Sequence, residues 1–247
     1  MKPAALGLAA LLLATPALAF DPAAMSESER EAFRAEVRAY LLENPEVLME
    51  AISALEAKQA EAQIAEDANL ILANAADIYD DGWSWVGGNP EGNITIVEFV
   101  DYRCGYCRKA HPDVQALVDG DDDIRYVIKE FPILGDQSVI ASRFAIATLR
   151  VAGEDAYKKV HDGFYEDFRG DVTVDTLSAF AEDLGLDTDA ILAAMDAPEV
   201  TKIIEENHLL AQRLKISGTP TFVLGDQMVR GYVPLDAMQS IVAEVRG

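Results

Sequence analysis

The sequence predicts an α/β fold with a helical insertion, preceded by an N-terminal helical arm. Three observations predict it. A near-continuous β-branched and aromatic run, ITIVEFVDY at 94–102, leads into a helical stretch and then a second apolar run, IRYVIKEFPIL, starting at Ile124. Together these make a strand–helix–strand unit. From Gln137 to about Ile216 the apolar spacing becomes 3,4 and so helical. PTFVLGDQMVRGYV then gives two short strands around Gly225-Asp226, and Pro234 opens a closing helix.

Taken in order, residues 1–19 read as a cleaved export signal. Lys2 is followed by an apolar run at 4–14 and by Ala17-Leu18-Ala19, which places cleavage near Ala19/Phe20. A run of that length rises about 16 Å as a helix, against a hydrocarbon core of about 30 Å, so it is too short to span a membrane. No later run approaches spanning length, and the expected location is the periplasm.

Residues 20–81 read as the helical arm. Ser26 and Glu29 make a capping box, Asn44-Pro45 separates two helices, and no Gly or Pro follows until Gly82. Leu48, Ile52, Leu55, Gln59, Ala62, Glu66 and Asn69 alternate in 4,3 spacing, a heptad seam that begins apolar and turns polar. Two readings of 26–81 stand: a stalk for a homo-oligomer, or an arm lying on its own domain or in solvent.

Residues 82–93 (GWSWVGGNPEGN) read as a turn-rich connection, opening a main domain over 82–247 whose insertion spans about 137–216. A formal charge of −23 repels nucleic acid and anionic membrane surfaces, so neither is an expected partner.

The chain holds only two cysteines, Cys104 and Cys107, in YRCGYCRKAHP. Export makes disulfides permissible. A bridge closing so small a loop constrains the unfolded chain very little, so stapling is a poor explanation. Placement at a strand-to-helix junction explains more. A helix N-terminus favours a thiolate at Cys104, and the thiolate is the nucleophile of disulfide exchange. Cys107 lies one turn on, on the same side, and is expected to resolve the mixed disulfide. Arg103 and Arg108 flank the pair. His111 continues the face at i+7, so it is read either as a third soft-metal ligand with the cysteines or as a group tuning the thiolate. His161 and His208 read as ordinary surface or capping residues.

A Thr-Pro dipeptide entering a strand at SGTPTFVL (217–224), far along the chain from CGYC, completes a pattern. VEFVDYRCGYC, a helical insertion, a Gly-Thr-Pro-Thr strand and Gly231-Tyr232-Val233-Pro234 together resemble the DsbA family of thiol–disulfide oxidoreductases, over roughly residues 85–247. The resemblance implies a thioredoxin-like fold, a cis Pro220, and Thr219 presented beside the sulfurs, where an extended client can pair. It implies a buried acid at Glu98 serving proton transfer at the inner cysteine. It also implies exported protein thiols and disulfides as clients, a membrane redox partner, and no cofactor beyond the Cys104–Cys107 disulfide. The acidic arm resembles that of ScsC-type members. Gly105-Tyr106 together with Thr219 resembles the periplasmic disulfide isomerases. Three functions therefore stand: an oligomeric isomerase or reductant, a monomeric dithiol oxidase, and a non-enzymatic copper carrier or chaperone.

Overall fold

The computed structural model describes residues 24–247. The leader expected over 1–19 lies outside the described residues. The described chain divides into two compact units, one running to Lys58 and the other spanning Gln59–Gly247.

The first unit contains α1 (Glu27–Glu43) and the start of α2 (Glu46–Ala73). The capping box forms as expected: the Ser26 side chain accepts from the Glu29 N–H, and the Glu29 carboxylate accepts from the Ser26 N–H at 2.8 Å. α1 buries no residue, and Tyr40, Leu42, Leu48, Met49, Ile52 and Leu55 are all exposed. The apolar beginning of the seam is therefore uncovered.

In the second unit the remainder of α2 behaves differently. It breaks at Asn74, whose side chain donates back to the Leu70 carbonyl at 2.8 Å, and resumes as α3 (Ala75–Tyr79). Ile71 and Ile78 are buried against Val97, Phe99 and Val127 of the sheet. Asp67 receives both terminal nitrogens of Arg230, at 2.6 and 2.8 Å. Residues 59–79 therefore pack through Ile71 and Ile78 and pair through Asp67 and through Glu66, which meets Lys215 at 2.5 Å, while the heptad position Asn69 stays exposed.

The sheet has five strands: β1 (Trp85–Gly88), β2 (Ile94–Val100), β3 (Ile124–Glu130), β4 (Thr221–Leu224) and β5 (Gln227–Arg230), in spatial order β1-β3-β2-β4-β5. β2 and β3 are parallel, joined through α4 (Gly105–Asp119), and every other pairing is antiparallel. The turn-rich reading of 82–93 is corrected here, because Trp85 to Gly88 pair with β3 as an edge strand. A Cβ at Gly87 would lie 2.0 Å from the Trp85 ring, so the buried indole folds back over a position that must lack a side chain.

β2 is covered on both faces, which is why its sequence is apolar without interruption. Alternation sends Ile96 and Val100 toward α4, and Val97 and Phe99 toward α3. Five helices form the insertion: α5 (Asp136–Ala152), α6 (Glu154–Glu166), α7 (Val174–Asp183), α8 (Thr188–Ala194) and α9 (Pro198–Arg213). α10 (Leu235–Arg246) closes the fold with Met238 and Val242 buried on the α4 side. No helix among the described residues is long and apolar enough to cross a membrane.

Candidate active site

Cys104 is the N-cap of α4, in extended conformation, and its N–H donates to the Asp101 carbonyl at 3.0 Å. An N-cap offers no apolar anchor of its own; the position is set by Val100 and Tyr102 buried just before it and Cys107 and Ala110 just after. Cys104 is 8% exposed and Cys107 only 1%, and both are free thiols. Tyr106, between them, is 65% exposed, and Gly105 has open space where a side chain would stand.

The Thr219–Pro220 peptide is cis, and the Cys104 sulfur lies 3.2 Å from the Thr219 carbonyl oxygen, to which it donates only while protonated. Residues 115 positions apart are thus brought together, as the resemblance implies. Four influences hold the Cys104 thiol down at about 5 against partial burial. The hydrogen bond from the Cys107 side chain is the largest, followed by the Thr219 side chain and the backbone N–H groups of Cys107 and Tyr106. The last two are free donors of the helix's first turn. Cys107 is the opposite case. Burial pushes its thiol far above the ordinary range, and the hydrogen bond to Cys104 and the charge of Glu98 add to that. Arg103 and Arg108 do not reach the sulfurs with their guanidinium groups. Arg103 donates to the Gly170 carbonyl at 2.7 Å and Arg108 to that of Tyr165.

Glu98 is buried at 3% exposure on the α4 face of β2. Burial pushes its carboxyl up to about 8; the hydrogen bond donated by Tyr126 lowers it and the charge of Cys104 raises it. A neighbouring polar set was not visible from spacing alone. Glu130, at the end of β3, accepts from Tyr102 and Tyr157 at 2.7 Å each and from Ser142 at 2.7 Å. Burial still raises its carboxyl to about 7.

Asp101 is a further residue that sequence reasoning passed over. One carboxylate oxygen accepts from the Arg103 N–H and the Ser138 hydroxyl, both at 2.8 Å. The other accepts from the N–H groups of Ile133 and Leu134 at 2.8 and 3.0 Å. This fixes the loop that carries Cys104 to the segment leaving β3. The available signal was an acid directly after an apolar strand and three residues before the first cysteine.

His111 departs from expectation. It does not join the sulfurs; among the described residues the ligand-capable set it enters is with His161 and Asp162. His161 is buried at 1% exposure, which corrects its reading as a surface residue. The signal was present: Tyr157, Val160, His161, Phe164 and Phe168 follow 3,4 spacing along the buried stripe of α6 and its C-terminal turn. His208 is half-buried beside Phe131, with ring centres 4.9 Å apart.

An ionised outer sulfur with a buried thiol one turn away is the arrangement that dithiol–disulfide exchange requires. Residues 95–243 match the model of the DSBA-like thioredoxin domain, and residues 29–62 that of the copper resistance protein ScsC N-terminal domain. The chain is similar to a crystal structure of a thioredoxin-like oxidoreductase from Silicibacter pomeroyi, with 39% identity and a TM-score of 0.65, covering 69% of this chain and 96% of that one. It is also similar to Proteus mirabilis ScsC in a transitional conformation, with 27% identity and a TM-score of 0.65, covering 90% and 98%. Among curated proteins, a Na(+)/H(+) antiporter NhaA 1 of Salinispora arenicola is 30% identical over 157 residues, 64% of this chain. The chain spans 24% of that relative's length. The fold is thioredoxin-like with a helical insertion and N-terminal helices.

Proposed function

Because the chain belongs to the family of DSBA-like thioredoxin domains, we propose that it exchanges disulfides with exported proteins in the periplasm through its CGYC motif. Cys104 attacks, Cys107 resolves, Thr219 pairs with the client backbone, Pro220 shapes that loop, and Glu98 takes or returns the proton of Cys107. The observation that carries this reading is Cys104 at the start of α4, 3.2 Å from the Thr219 carbonyl, with Cys107 buried one turn behind it. Cys104→Ser is expected to abolish both insulin reduction and reactivation of scrambled ribonuclease. Retention of either would overturn the reading.

The direction we infer is isomerisation or reduction by a homo-oligomer assembled through the arm. It is supported by the uncovered apolar groups of α1 and α2, more than an isolated helix pair leaves to water, and by the match of residues 29–62. An oligomer holds a misfolded client near several active sites and raises their local concentration. The combined substitution Leu48→Glu and Ile52→Glu is expected to lower the solution mass to that of one chain. Ribonuclease reactivation should fall with it, while insulin reduction persists. Unchanged mass would exclude this assembly.

A second reading, a monomeric oxidase, is favoured by Cys104 being held down at about 5. Stabilising the thiolate stabilises the dithiol form and makes the couple more oxidising. Equilibrium titration of the couple against glutathione separates the two directions.

A further inference from the structure

We propose that His111, His161, Asp162 and Glu166 form a binding site for a single first-row divalent cation of the Zn2+ class, between α4 and α6 and one helical turn beyond Cys107. The chain has three histidines, and two of them meet here. One ligand atom from each of His111, His161 and Asp162 lies within 4.8 Å of the others.

Two polar atoms in this cluster are orphaned. His111 Nε2 and Asp162 Oδ1 are buried without a hydrogen-bond partner, although they face each other at 3.5 Å. Glu166 Oε1 stands 3.4 Å from the same nitrogen. An orphaned buried imidazole nitrogen opposite an orphaned carboxylate oxygen costs free energy unless something bridges them. In a tetrahedral zinc site with bonds of about 2.0–2.1 Å, neighbouring ligand atoms stand about 3.3 Å apart. The separations of His111 Nε2 from Asp162 Oδ1 and from Glu166 Oε1 are close to that value.

The tautomer of His161 fits as well. The Tyr102 hydroxyl donates to Glu130 at 2.7 Å, so its oxygen is left to accept from His161 Nδ1 at 3.2 Å. The proton then sits on Nδ1 and Nε2 keeps its lone pair, the arrangement by which an outer partner fixes a metal-binding histidine. Lys158 holds the other oxygen, Asp162 Oδ2, at 2.5 Å while also donating to Gln115, so Oδ1 is the oxygen left for an ion. Glu166 is exposed on the outer side, which leaves a route for the ion to enter.

Two nitrogens and two oxygens suit a borderline cation such as Zn2+ or Co2+ better than Mg2+ or Ca2+. The site is separate from the cysteines and is tested with them oxidised, so that neither sulfur can ligate. Zn2+ titrated calorimetrically into the full disulfide-form chain is expected to give one ion per chain. Co2+ is expected to give the intense visible absorption of a four-coordinate ion. His111→Asn should weaken binding by about a hundred-fold, and the surface substitution Glu166→Gln, which leaves the fold undisturbed, by about ten-fold. No bound Zn2+, or the same affinity in Glu166→Gln and His111→Asn as in the parent, would overturn the site. Loss of binding in these variants with insulin reduction intact would confirm it.

Discussion

The Tyr126 hydroxyl donates to the Glu98 carboxylate across the parallel β2–β3 pair, where Tyr126 stands opposite Ile96 and Glu98 opposite Ile128. The side chains share the face covered by α4, so the acid lies beneath the cysteines with one hydrogen bond favouring its charged form. A carboxyl near 8 is well placed to take a proton from Cys107 at neutral pH and return it. Glu98→Gln is expected to slow the resolving attack of Cys107 on a mixed disulfide by about a hundred-fold. Alkylation of Cys104 at neutral pH should hardly move, because that thiol is already ionised. Tyr126→Phe removes the one hydrogen bond that lowers Glu98 and should move the pH midpoint of resolution upward. Rapid-quench analysis of a peptide mixed disulfide reads both, and an equal slowing of alkylation and resolution would remove Glu98 from the proton step.

The alkylation rate of Cys104 against pH is expected to rise with a midpoint near 5. Cys107→Ala removes the largest of the influences that hold the thiol down, and Thr219→Val the next, so each midpoint should lie higher than that of the parent. A midpoint of the parent near the free-thiol value of about 8.5 would deny the activation that α4 and Thr219 supply.

Much of this arrangement was legible locally. Strand, cysteine pair and helix are contiguous in sequence, whereas the burial of Glu98 was implied by the resemblance. The proximity of Thr219 to Cys104 has no local signal and rested on the resemblance alone. β1 was illegible because Gly87 and Gly88 read as turn residues, and only pairing with β3 makes them a strand. The His111–His161 meeting was missed for a related reason. Each histidine lies on the buried stripe of its own helix, but which helix faces which is set by how α6 packs on α4. The arm was read as one piece, although the packing of Ile71 and Ile78 ties residues 59–79 to the sheet.

That packing makes a further test. Ile78 is fully buried, and Lys129, also fully buried, donates to the Asp77 carbonyl at 2.7 Å and to the Asp81 carboxylate. A chain starting at Gly82 loses all of these contacts, removes the ion-pair partner of Lys129 and uncovers the apolar face that Ile71 and Ile78 cover. It is expected to unfold at clearly lower denaturant than a chain starting at Gln59. Ile78→Ala in the full chain should cost about 2–5 kcal/mol by chemical denaturation. Equal midpoints for the two truncated chains would mean that α3 is not part of this unit's core.

Two groups beneath α4 should couple folding to pH with opposite signs in the dithiol form. Cys104 is held at about 5, below an ordinary thiol, so between 5 and about 9 the unfolded chain holds a proton that the folded chain has released. Its contribution is complete above the unfolded value and is lost as pH falls through 5. Glu98 is raised to about 8 from 4.5, so over that window the folded chain holds the extra proton. Its contribution is complete below 4.5 and is lost as pH rises through 8. Between pH 5 and 8 the two oppose each other, while Glu130, raised to about 7, adds to the fall on the side of Glu98. Glu98→Gln removes the opposing partner, so stability relative to the parent should rise with pH across that window, by at most about 1.4 kcal/mol per pH unit. Cys104→Ser removes the other, so stability relative to the parent should fall as pH rises. Urea unfolding of the reduced proteins from pH 5 to 8 reads the slopes. Slopes of the same sign in the two variants would show that the acid and the thiol do not occupy the environments described for them.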